Sequence, residues 1–272
     1  MAKIYTDTNA LRYFGAAFAD SCLAAELRDH MLLAPLSVME LLSQLGTEGA
    51  QGAFEAIQAL PRVHDPAACG MLPWSDDLFR IAIFRLPPTE DVITPALNNA
   101  IVRVLNTATH QALREDGEEI RRLLNSGKDK AAKQFSDVLN GWRSEGPLSE
   151  NEHQAIFARS IARRAGVDES TVDVKAVISL LNALYVFEGT RMQVGADHPD
   201  YNVDKHSNDV YDAELLIYLA DPMLHLLTCD TGFRRVEESS QYQRVHIVDP
   251  SVLRNTGRAE QLIRAIVSGT IS

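Results

Sequence analysis

The sequence predicts an α/β protein: a three-layer α/β/α domain around a mostly parallel sheet, interrupted by an all-helical insertion. Three observations lead there. Strand-like runs, KIYT, MLHLLT and RVHIV, sit near the two ends of the chain. Helix-like segments separate them, and parallel strands need crossover connections of that kind. Between Pro61 and about residue 200 the pattern turns helical, with no clear strand signal. The expected division is an α/β domain over 1–60 and 201–272, with the insertion over 61–200.

Each element has its own signal. Residues 3–7 form a short apolar run closed by Asp7-Thr8-Asn9, residues of turn and N-cap chemistry. Helices are expected from about Ala10 to Phe18 and from Ser21 to Asp29. The apolar stretch Met31–Val38 contains Pro35 and reads as a strand ending near Leu36. Ser37 then reads as the N-cap of a helix running through Glu40 towards Gln44, with Ser37 and Glu40 at capping-box spacing. A further helix, about Gly49 to Leu60, should stop at Pro61. Pro66, Pro73, Pro87, Pro88 and Pro95 break the next stretch into short pieces. Helical patterns follow at about 96–125, 129–142, 149–165 and 171–188, with turns at Gly127, Gly146 and Gly166. The helix-like DAELLIYLA and the last two strands complete the chain.

Composition narrows the class. The chain has 272 residues, 46% hydrophobic and 23% charged, ordinary values for a globular domain. No apolar run approaches the roughly 18 residues of a membrane span, and Asp7 interrupts any signal-peptide core. Cys22, Cys69 and Cys229 form no CxxC pair, so neither zinc nor a disulfide framework is suggested. A cytoplasmic protein with no membrane partner is expected. The net charge of −11 argues against nucleic-acid binding, yet charge is uneven. Residues 121–164 hold nine Lys/Arg against five Asp/Glu, a balance of +4 that leaves −15 elsewhere. Within that window Arg159, Arg163 and Arg164 could line a helix face that tracks a phosphate backbone; the alternative is an ordinary solvated face.

Chemistry points to four acids. Asp7 closes the first strand, Glu40 follows the second, Asp212 opens a helix, and Asp230 ends the strand MLHLLT. Carboxylates at the carboxyl ends of parallel strands project into the crevice where ligands bind. Packed together they repel, unless divalent cations neutralise them. Mg²⁺ or Mn²⁺ prefers oxygen ligands and can activate both water and leaving oxygen in phosphodiester hydrolysis.

The arrangement resembles the PIN domain, the ribonuclease fold of VapC-type toxins and of many RNA-processing nucleases. The residues that carry the resemblance are Asp7-Thr8-Asn9, then Glu40, then Asp212 with a small residue after it, then Thr228-Cys229-Asp230 followed by Gly232-Phe233. It covers about residues 1–60 and 205–252, and the distance from Glu40 to Asp212 is longer than in the small toxins. It implies a metal-dependent endoribonuclease acting on single-stranded RNA, with an antitoxin or other regulatory protein and a homodimer as further expectations. Asp7, Asp212 and Asp230 are the expected metal ligands. Glu40 is expected to orient a water, Thr8 and Asn9 to donate hydrogen bonds, and Thr228 to support the turn that presents Asp230. Asp209 reads either as another ligand or as a cap favoured by the helix dipole.

Other classes fit less well. A phosphatase of the HAD type needs a second Asp where Asn9 stands, and there is no P-loop, GxGxxG or HExxH. A deoxyribonuclease with the same site, or a catalytically silent binding module whose acids are caps and surface charges, remain as alternatives.

Overall fold

The computed structural model describes residues 1–64, 70–89, 93–146, 148–198, 200–206 and 208–270; Pro66 and Cys69 lie outside them. The chain is mixed α/β and 69% helical. Strands β1 (Lys3–Thr6), β2 (Met31–Leu32), β3 (Leu224–Thr228) and β4 (Val245–Ile247) form one all-parallel sheet in the order β2-β1-β3-β4. The first strand lies beside the third, with Lys3 opposite Leu224 and Thr6 opposite Leu227. Both faces of the sheet are covered, which is why these runs are continuously apolar. Ile4, Met31 and Leu227 enter one hydrophobic cluster, and Tyr5, Leu226 and Val245 enter another.

Helix α1 (Thr8–Ala17) starts where predicted because the Asp7 side chain caps it. Of the expected 21–29 helix only one turn forms, α2 (Ala25–Arg28). The next segment differs from its sequence reading. The strand is only two residues long, and α3 (Pro35–Ser43) begins at the proline itself. Pro suits that first helical position, where its missing N–H costs nothing. Ser37 therefore lies inside the helix, Ala34 occupies the cap position, and no capping box with Glu40 forms. Helix α4 (Ala50–Val63) also overruns its expected stop, carrying Pro61 in its last turn.

The central block is helical apart from an isolated parallel bridge, Leu33 to Met71, which extends the line of β2. It contains α5 (Ser75–Leu78), α6 (Ile93–Leu105), α7 (Arg114–Glu145), α8 (Glu150–Arg164), α9 (Val174–Leu180) and α10 (Asn182–Asp197). The helix expected over 96–125 is broken after Leu105. By contrast, no turn forms at Gly127, through which the 32-residue α7 runs unbroken. Gly146 and Gly166 do end helices, with φ of 90° and 68° that suit glycine. Helix α11 (Asp209–Leu216) follows, and α12 (Pro250–Leu253) and α13 (Thr256–Ser268) close the chain.

Helices α8 to α11 pack in the same cluster as Tyr5 and Leu226, through Phe157, Val177, Phe187 and Leu216. Phe14 of α1 and Ile263 of α13 cover the opposite face with Ile4. Much of the central block thus shares its core with the sheet. No helix among the described residues is long and apolar enough to cross a membrane.

Candidate carboxylate site

Strand β1 is the hub on which the acids assemble. Its carboxyl end delivers Asp7, which is 5% exposed. Tyr5 donates its hydroxyl to the Leu215 carbonyl at 2.7 Å, tying β1 to α11. Ser37 donates to the Thr6 carbonyl at 2.8 Å, tying β1 to α3. The third tie is the ladder to β3. Those three partners carry, or lead directly into, Asp212, Glu40 and Asp230.

Local hydrogen bonds then fix the side chains. Asp7 accepts from the Ala10 N–H at 2.7 Å through Oδ1 and from the Thr228 hydroxyl at 2.6 Å through Oδ2. Thr228 also accepts the Asp230 N–H at 2.9 Å. Asp230 in turn accepts the Gly232 N–H at 2.6 Å. The Thr8 hydroxyl donates to Glu40. Thr228 therefore supports Asp230 as expected and in addition holds Asp7, while Thr8 orients Glu40. Asn9 is exposed in the first turn of α1.

Electrostatics place the acids together. Burial, followed by the charges of Asp230, Asp209, Glu40 and Asp7, pushes the Asp212 carboxyl up to about 8. Burial pushes Asp7 up to about 6; the Thr228 and Ala10 hydrogen bonds hold it down, and Asp230 and Glu40 push it further up. Glu40 is also raised by burial, against the Thr8 hydrogen bond and the charge of Lys128. Asp209 differs from the rest. Arg235 pairs with it at 2.6 Å and the buried Arg191 lies 3.9 Å away. It serves an ion-pair network as well as adding to the field at Asp212.

Among the described residues, no group of three or more His, Cys, Asp or Glu side chains is placed to hold a metal ion. The donor chemistry nonetheless suits a hard divalent cation, since acids that raise one another's pKa gain most from a positive charge.

The three arginines expected to bind substrate are placed differently. Arg163 forms two bonds to Glu169, at 2.8 and 3.0 Å. Arg164 pairs with Asp76 at 2.6 Å and with Glu214 at 2.7 Å. Residues two apart do not share a helix face, so Glu214 turns this pair away from Asp212. Arg159 is exposed. Lys128 of α7 does reach one of the four acids, 3.9 Å from Glu40. Sequence reasoning had placed it only among nine basic residues, because nothing local distinguishes it. A cavity of 690 Å³ opens between α3, α7 and α11, with Met39, Trp74 and Tyr211 in its walls; Arg164 and Glu214 line it, and none of the four acids does.

Compared with family models, curated proteins and solved structures, the chain matches none of them.

Proposed function

We propose that the chain is a metal-dependent endoribonuclease with a three-layer, PIN-like α/β/α fold. One observation carries the reading: Asp7, Thr228 and Asp230 form one hydrogen-bonded chain at the carboxyl end of a parallel sheet, and burial, followed by the charges of Asp230, Asp209, Glu40 and Asp7, pushes Asp212 up to about 8. A structural cluster with no ligand would gain by losing such repulsion. A divalent cation, held by Asp7, Asp212 and Asp230, would supply a more acidic water and stabilise the leaving oxygen. Mg²⁺ commonly keeps several waters, so few direct carboxylate ligands are needed. The protein's own part is positioning. Thr228 fixes Asp7 against Asp230, Thr8 aims Glu40, and Glu40 would orient a water. The preference for RNA rests on the resemblance of Asp7-Thr8-Asn9 and Thr228-Cys229-Asp230 to the PIN motifs, with a deoxyribonuclease as the second reading.

Single-turnover assays on labelled single-stranded RNA and DNA, with Mg²⁺, Mn²⁺ or EDTA, test it. RNA cleavage should require the metal, and Asp7→Asn or Asp230→Asn should lower the rate at least about 100-fold. Equal cleavage in EDTA would remove the metal from the mechanism. Binding without cleavage under every condition would make the chain a binding module instead.

A further inference from the structure

Lys128 stands where the long helix α7 passes the carboxylate site. Its ammonium donates to Asn208 Oδ1 at 2.6 Å, lies 4.5 Å from the centre of the Tyr211 ring, and is 3.9 Å from Glu40 Oε1. Asn208 precedes α11 and Glu40 lies on α3, so one ammonium spans the gap between the helices of two acids. Its side chain is only 19% exposed. Packing sets the position: Leu124, one turn earlier on α7, is buried with Leu36 and Tyr211, and Tyr211 donates to the Leu124 carbonyl at 2.6 Å.

We propose that Lys128 is a substrate-contacting residue, whose ammonium takes a non-bridging phosphate oxygen of the bound RNA strand. The inference rests on the nuclease reading and adds a residue to it. An ammonium carries three donors, and the bond to Asn208 uses one of them, on a neutral amide oxygen. The carboxylate of Glu40 lies at the outer limit of an ion pair, unlike the close partners of Arg163 and Arg164. A phosphate oxygen carries a negative charge that the Asn208 amide oxygen lacks, so the ammonium gains an ion pair along with the hydrogen bond, and substrate can replace Asn208 as the acceptor. A surplus of carboxylates also needs a cation where a polyanion enters, and Lys128 supplies one without a metal. Its alternative role is a strut that merely fastens α7 to α11.

The test uses the full chain carrying Asp7→Asn, so that bound RNA stays uncut. Binding of a labelled single-stranded oligonucleotide is measured across about 50–200 mM salt for Lys128, Lys128→Gln and Lys128→Arg. Lys128→Gln should weaken binding about tenfold and lower the slope of log K against log salt by about 0.7, the share of one phosphate contact on a single strand. Lys128→Arg should keep most of both. An unchanged slope in Lys128→Gln, with a lower melting midpoint, would overturn the proposal in favour of the strut. Cleavage by the unsubstituted chain separates the two failures. If it cuts RNA and the slope is unchanged, Lys128 alone falls; if it neither cuts nor binds RNA, the nuclease reading falls and takes Lys128 with it.

Discussion

Thr228 has no exposed surface and uses one hydroxyl twice, donating to Asp7 and accepting from the Asp230 backbone. The double use places two acids from distant parts of the chain in fixed relation. Thr228→Val keeps the shape but removes the hydroxyl, leaving a buried carboxylate oxygen and a backbone N–H without this partner. The expected cost is about 1–3 kcal/mol, read from urea denaturation, with Thr228→Ser restoring most of it. A loss below about 0.5 kcal/mol, the level of a neutral surface change, would mean that Asp7 is held by Ala10 alone.

At the scale of elements, close approach decides where glycine is needed. A Cβ on Gly15 would stand 2.4 Å from Ala56 Cα, so α1 and α4 meet backbone to backbone there. Gly141 on α7 has nothing within 4 Å of the same position. Alanine favours a helix over glycine by about 1 kcal/mol. Gly141→Ala should therefore stabilise by up to about that amount, while Gly15→Ala should destabilise by about 1–3 kcal/mol through overpacking. Thermal melts of the two variants should shift in opposite directions; parallel shifts would refute the tight α1–α4 contact.

How far the elements were legible follows from the same distinction between local and distant causes. The parallel sheet and the sites of β1, β3 and β4 were readable, because strands buried on both faces stay apolar throughout. Asp7 and Asp230 do sit at element boundaries, as caps of the helices that follow β1 and β3, whereas Glu40 lies inside α3 and Asp212 follows the start of α11 by three residues instead of opening it. Pro35 misled, since proline ends a strand and starts a helix with equal ease, and the helix began two residues before Ser37. Gly127 misled because α7 is held by packing on both sides of it, through Leu124 and Ala132. Lys128 was illegible as a site residue: its hydrogen-bond partner is 80 residues away, and only the packed fold brings them together.

Over the whole molecule, titration pulls in two directions. Asp212 titrates near 8 in the fold and near 3.9 in an unfolded chain. Folded protein then holds the extra proton, so this group's contribution is full below about 4 and is lost as pH rises through about 8. Buried His64 is the reverse, depressed to about 4 by burial against the pull of its Met31 carbonyl contact. Its contribution is full above about 6.5 and is lost as pH falls through about 4. Between these limits lies a window in which the acid acts without the histidine. Urea midpoints in EDTA should fall by the equivalent of about 2 kcal/mol from about pH 6.5 to 8. Asp212→Asn should flatten that fall, and saturating Mg²⁺ or Mn²⁺ should reverse it. A flat profile in the unsubstituted chain would show that burial and the neighbouring charges do not raise Asp212.

The pairing of β1 with β3 has a consequence in time. Asp7 and Glu40 are made before the central helical block, whereas Asp212 and Asp230 belong to a helix and to the end of a strand made about 170–190 residues after Glu40. Closing so long a loop is entropically costly, and β1 pairs with β3 along its full length. Until α11 and β3 are made, the nascent chain therefore carries only two of the four acids. If the complete centre cuts RNA, the message and the machinery translating it are exposed only after the last acid has emerged, a delay imposed by strand order alone.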